Sequence, residues 1–297
     1  MNAANGKRIG NYFYFCFSMI GIPGFSKKNK EGEEMSFWEH LDVLRGTIWR
    51  SVLVAFLFSL LAFAFKDILF DTILLAPKSK DFITYRFLCK LGSMISMPSL
   101  CIDPSNFELI NISLAGQFLA HMNISLIAGL ILALPYILWE LWRFIKPGLT
   151  EKERNASRGA VFVVFLLFVT GVLFSYFLVA PLMINFLGGY TVSATVKNQI
   201  ALTSYVSNIT LLTLLMGLVF ELPVLILLLT KIGILTPAIL KKYRKHTLVI
   251  ILIAAGVITP SPDVFSQMIV AIPLYGLFEL SVVLSSRMYR RKMQPAG

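Results

Sequence analysis

The chain has 297 residues, of which 57% are hydrophobic and only 14% charged, with a mean hydropathy of +0.75. A soluble globular domain carries about 25% charged residues, so this composition excludes an ordinary soluble fold and makes lipid the solvent of most outer surface. The net charge of +11 then reads as a sign of orientation in a membrane, and no nucleic-acid partner is expected.

Residues 1–35 open with Lys7-Arg8 and an apolar run over 12–22, which is similar to the basic and hydrophobic regions of a signal peptide but lacks an A-x-A cleavage site. Met35 offers a second start, and the segment is expected to be an extension without fixed structure. Beyond it, a helix that crosses a hydrocarbon core of about 30 Å needs about 20 apolar residues. Six stretches qualify or come close: 48–65, 118–139, 159–180, 206–230, 247–259 and 264–286. The fifth would reach only about 20 Å. Thr259-Pro-Ser-Pro-Asp263 separates it from the sixth, and two prolines in five residues force the chain to turn. Two antiparallel helices are the preferred reading, and a single re-entrant hairpin, leaving five spans, is the alternative. The expected fold is an all-α polytopic membrane protein with six transmembrane helices, the membrane domain covering 36–287 and a basic tail 288–297.

The loops divide the 27 Lys and Arg very unevenly, 21 on the side of the termini and six on the other, which predicts that both termini are cytoplasmic. Trp38, Trp49, Trp139 and Trp142 fall near the cytoplasmic ends of the first two spans, where amphipathic indoles prefer to sit. Cys89 and Cys101 share the first outer loop. They either close a short disulfide in an oxidising compartment or remain two free thiols.

Little in the chain suggests catalysis. Asn5-Gly-Lys-Arg8 lacks the spacing of a phosphate loop, and His40, His121 and His246 are too scattered for a metal site. No enzyme activity, metal or cofactor is expected. Acid placement is more informative. Glu221, in Phe220-Glu-Leu-Pro223, lies about two thirds of the way through the fourth stretch. An ionised carboxylate there costs several kcal/mol unless it is paired, protonated or facing a polar cavity. It is either a contact point for a partner helix or a proton-sensitive group, or else an internal acid satisfied by a neighbour. Pro223 removes a backbone donor and bends the helix. At the cytoplasmic rim stand Glu39, Asp42, Glu140, Glu151 and Glu153. Such carboxylates can accept bidentate hydrogen bonds from guanidinium groups of a bound peptide. Lys152, Arg154 and Arg158 are interleaved with the last two, so a solvated mixed-charge loop is the competing reading.

Several motifs in order resemble one family. They are Glu39-His-Leu-Asp-Val-Leu-Arg45, Leu134-Pro-Tyr-Ile-Leu-Trp-Glu-Leu-Trp-Arg-Phe-Ile-Lys-Pro-Gly-Leu-Thr-Glu-Lys-Glu-Arg154, Phe220-Glu-Leu-Pro-Val224, Thr259-Pro-Ser-Pro-Asp-Val-Phe-Ser-Gln267, Ala271-Ile-Pro-Leu274 and Phe278-Glu-Leu-Ser281. From about Phe37 to Arg287 the chain is similar to the TatC family, the multi-spanning core of the twin-arginine translocase of the cytoplasmic (inner) membrane. The resemblance implies six helices, the last two short, and a receptor that binds Arg-Arg signal peptides of folded precursors and exports them with the proton-motive force. It implies signal-peptide binding by Glu153 with Arg154, and at the amino-terminal motif by Arg45 with Asp42 or Glu39. The motif's own glutamate position is Val43 here, one residue past Asp42, and Thr47 and Asn155 replace two of its arginines. It implies docking of single-span TatA- or TatB-like helices at Glu221 and Gln267, assembly with further copies of the chain, and structural roles for Pro77, Pro223 and Asp263, the last as a helix cap. The rival reading is a proton-coupled small-solute transporter with Glu221 as relay, which predicts inverted repeats that the sequence does not display.

Overall fold

The computed structural model describes residues 37–95, 101, 107–145, 159–193, 195, 198–259 and 263–293. The extension expected over 1–35 lies outside the described residues, as do Glu151, Glu153 and Arg154. Residues from Val43 onward form one compact unit.

The helix α1, Phe37–Ala64, starts well before its apolar stretch, because the polar residues that precede it are helix formers without Gly or Pro until Gly46. A π-helical turn, Ile68–Leu74, and a short 3₁₀ turn, Ala76–Lys78, follow. The first outer loop then contains a helix that the hydropathy pattern does not reveal, α2, Ile83–Ile95. The second span is α3, Gly116–Ile145, with Pro135 inside it.

The third span is built in three pieces: α4 Ala160–Phe174, a π-helical turn Ser175–Val179, and α5 Ala180–Gly189. Pro181 explains the wider turn, since it has no N–H to give the carbonyl of Phe177 and its ring crowds that position. The Thr84 hydroxyl of α2 donates to the Phe177 carbonyl instead.

The fourth span breaks where expected. The helix α6, Leu202–Val219, ends in a turn at Phe220 and Glu221, and α7, Leu222–Ile232, restarts with Pro223 in its first turn, where a missing N–H costs nothing. A short α8, Pro237–Lys242, leads into α9, Arg244–Ile258. Fifteen residues reach only about 22 Å, so α9 is short, as expected for the fifth segment. The last helix differs from expectation. The helix α10, Val264–Met293, has 30 residues, because Arg287, Arg290, Arg291 and Lys292 continue the helix past its apolar part with good helix formers. Of the last two helices only α9 is short. Among the described residues, five helical stretches are long and apolar enough to cross a membrane: Trp38–Ala64, Gly116–Ile145, Val161–Gly189, Leu202–Ile232 and Val264–Tyr289.

Two three-residue strands, unforeseen from the sequence, join the segment before the second span to the segment before the fourth. The strands β1, Glu108–Ile110, and β2, Gln199–Ala201, pair in parallel with Leu109 opposite Ile200. Cys89 and Cys101 are joined by a disulfide. One core cluster, including Met183, Met216, Ala255 and Leu274, binds α5, α6, α9 and α10 together. A second, including Ala62, Leu74, Ile124 and Val206, ties the outer end of α1 to α3 and α6. Where α1 crosses α3, a side chain on Gly129 would run into the backbone and hydroxyl of Ser59, so only glycine permits the approach.

Candidate functional site

Two acids stand inside the packed helices, and their surroundings are opposite. Glu140, near the inner end of α3, is 1% exposed. Its Oε1 lies 3.3 Å from Nε of Arg50 on α1 and 3.9 Å from Arg143, and it accepts a hydrogen bond of 3.1 Å from the Tyr136 hydroxyl. Two cations and a hydroxyl therefore converge on one oxygen of a buried carboxylate and offset its charge, while its Oε2 has no hydrogen-bond partner among the described residues. This corrects its reading as a cytosol-facing rim acid. Sequence reasoning missed the partnership because Arg50 lies in another helix, 90 positions away.

Glu221 sits in the turn between α6 and α7 and is half-buried. A backbone group of Phe168 on α4 faces it, but neither carboxyl oxygen reaches a hydrogen-bonding partner among the described residues. The ion pairs at Glu140, with Arg50 and Arg143, and at Glu279, with Arg244, do not include it. The acid is placed by a tight helix crossing. A Cβ on Gly171 would stand 2.8 Å from the Met216 carbonyl and the Phe220 ring, and one on Gly217 would stand 2.7 Å from the Phe168 ring. With both positions stripped of side chains, α4 and α6 approach closely enough to hold the Phe220–Glu221 turn against α4.

The side-chain amide of Gln267 donates to the Leu252 carbonyl of α9 at 2.7 Å, so it braces α9 to α10. Asp263 accepts the backbone N–H of Ser266 at 2.7 Å, the geometry of an N-terminal cap. Pro77 is buried in the 3₁₀ turn, and its carbonyl accepts the Tyr85 hydroxyl at 3.1 Å. Burial pushes that Tyr85 hydroxyl up to about 12. Pro223 is buried in the first turn of α7.

On α1, Glu39 and Asp42 are exposed. Three residues apart on a helix, they share one face. Val43 and Arg45 are exposed as well. The candidate pair Glu153 and Arg154 lies outside the described residues. A third acid within an apolar helix also escaped sequence reasoning. Glu279 of α10 meets Arg244, at the start of α9, at 2.7 Å and accepts the Tyr275 hydroxyl at 3.1 Å. Among the described residues no group of three or more His, Cys, Asp or Glu is arranged to hold a metal ion.

Residues 39–273 match the family described as Sec-independent protein translocase protein (TatC). A protein of that name from Blattabacterium sp. subsp. Periplaneta americana is 41% identical over 266 residues, covering 88% of this chain and 99% of the relative. The one from Deinococcus radiodurans is 34% identical over 253 residues, covering 85% and 86%. Two crystal structures of the twin-arginine translocase receptor TatC, one of them in the detergent DDM, superpose with TM-scores of 0.65 and 0.67 at 33% identity. The first covers 84% of this chain and 98% of its own.

Proposed function

The chain belongs to the TatC family of Sec-independent protein translocases, and from that premise we propose that it is the receptor at which twin-arginine signal peptides and single-span partner helices meet. It is a polytopic membrane component of a protein translocase and not an enzyme. Family membership removes the support from the solute-transporter reading.

The signal peptide's arginines bind at the cytoplasmic rim, on Glu153 beside Arg154 and on Asp42 and Glu39 with Arg45 nearby in sequence. Carboxylates suit this task because a guanidinium donates two parallel hydrogen bonds to one carboxylate, which an ammonium cannot do. The distribution of Lys and Arg supports placing both termini in the cytoplasm and counting α9 as a sixth, short span. TatA- or TatB-like helices dock at Glu221 and Gln267, further copies of the chain join the complex, and the proton-motive force drives export.

The observation that carries this reading is the sorting of acids. Glu140 is neutralised inside the fold by Arg50 and Arg143, whereas Glu39 and Asp42 face outward and Glu221 holds its carboxyl at membrane depth without a hydrogen bond among the described residues. Capture of the full-length protein in detergent by an immobilised Arg-Arg signal peptide tests it. The Arg-Arg peptide is expected to retain at least tenfold more protein than its Lys-Lys counterpart, and Glu153→Ala is expected to abolish the difference. Equal retention by both peptides would remove the receptor role.

A further inference from the structure

We propose that α2 is an interfacial helix whose exposed face rests on anionic phospholipid headgroups at the outer ends of the spans. Contacts with the third and fourth spans fix its depth. Its start is held by the third span: the Phe82 ring stacks on Phe177 with centroids 5.8 Å apart, and the Tyr85 hydroxyl donates to the Pro181 carbonyl at 3.1 Å. Phe177 and Pro181 lie where the apolar stretch 159–180 ends. The Tyr205 hydroxyl, in the first turn of α6, donates to the Leu74 carbonyl at 3.0 Å, which puts the chain leading into α2 level with the start of the fourth span. The helix therefore begins at the boundary between apolar and polar surroundings.

Its two faces differ sharply. Thr84, Tyr85 and Gly92 are buried, and at 100° per residue they fall on one side of the helix. The opposite side carries Ile83, Arg86, Phe87, Lys90 and Met94, all exposed, with Ile83 at 66%, Phe87 at 61% and Met94 at 77%. No acid occurs between Ile83 and Ile95; the nearest is Asp81, ahead of the first turn, where it complements the helix dipole. Three large apolar side chains flanked by two cations are the pattern of a helix lying in a membrane interface, the apolar chains entering the acyl boundary and the cations reaching anionic headgroups. The charge selects lipid as the occupant, because water leaves the apolar chains unsatisfied and a purely apolar partner helix leaves the cations so. The Cys89–Cys101 disulfide ties the middle of α2 to the following loop and holds this face in place. The inference concerns the lipid contact of the loop and stands apart from the receptor reading.

Photo-crosslinking of the full-length protein tests it. Benzoylphenylalanine is placed at Phe87, at Met94 or, as a control, at Val192, and the protein is reconstituted in vesicles of phosphatidylethanolamine with a minor share of phosphatidylglycerol. Val192 is exposed and stands beyond the end of α5, which itself rises about 12 Å from Pro181 to Gly189. The Phe87 and Met94 probes are expected to label phospholipid and the Val192 probe is not. At Phe87, phosphatidylglycerol is expected to be enriched over its bulk share by roughly fivefold or more, from two cations near the surface, and R86E/K90E is expected to abolish the enrichment while lipid labelling persists. Labelling of a protein or of nothing at Phe87 and Met94, or uptake of the two lipids in bulk proportion, would overturn the proposal.

Discussion

Glu140 and Glu221 are both carboxylates within long apolar helices, yet the fold pairs one with cations and buries both carboxyl oxygens of the other without a hydrogen-bond partner among the described residues. Two cations and a tyrosine converge on Glu140 from α1 and α3; Glu221 is given a narrow seat between α4 and α6, faced by a backbone group of Phe168 and without an ion pair of this kind. A buried charge whose Oε1 is held by two cations and a hydroxyl ties helices together, even with its Oε2 unbonded, whereas one with no ion pair on either oxygen is a cost that the fold has no reason to retain for stability. The difference supports an architectural role for Glu140 and the proposed recognition role for Glu221.

Removing the engaged acid is the severest way to strain this contrast. Glu140→Ala strands Arg50 beside a buried cavity, and chemical unfolding in mixed micelles is expected to show a loss of about 2–3 kcal/mol, below the 3–5 of a fully buried pair because Arg50 is partly exposed. An unchanged unfolding midpoint would make Glu140 as dispensable to the fold as Glu221. Overpacking the seat of Glu221 comes next. Gly217→Leu forces a side chain into the Phe168 ring, with an expected loss of about 1–3 kcal/mol in the same assay, and it is expected to impair partner docking by displacing α6. Arg244→Ala leaves Glu279 without its cation, but both side chains are partly exposed, so a loss of only about 0.5–1 kcal/mol is expected. Glu221→Gln is expected to change stability least, by less than about 0.5 kcal/mol, because it breaks no contact that the fold uses.

How much of this was legible in the sequence follows from what each feature depends on. The spans were legible because twenty or so apolar residues in a row answer to lipid wherever they occur, and the break at Glu221 was legible because Pro223 acts on its own helix. The long α10 was not, since hydropathy stops at the apolar edge whereas a helix continues through Arg287 and Lys292 at no penalty. The outer-loop elements were hidden for a different reason: α2 is amphipathic and 13 residues long, and strands of three residues carry too short a pattern to detect. Within the site, Glu221 was visible from its apolar neighbours alone. The partners of Glu140 and Glu279 were not, because each ion pair joins residues from separate helices and only the packed fold brings them together.

The comparison rests most directly on what Glu221 captures. Co-purification of a single-span TatA- or TatB-like protein with Glu221→Gln, in membranes where the variant accumulates as the parent does, measures this alone. The account predicts at least a tenfold fall in captured partner, about 1.4 kcal/mol, with unfolding unchanged; capture equal to that of the parent chain would contradict it.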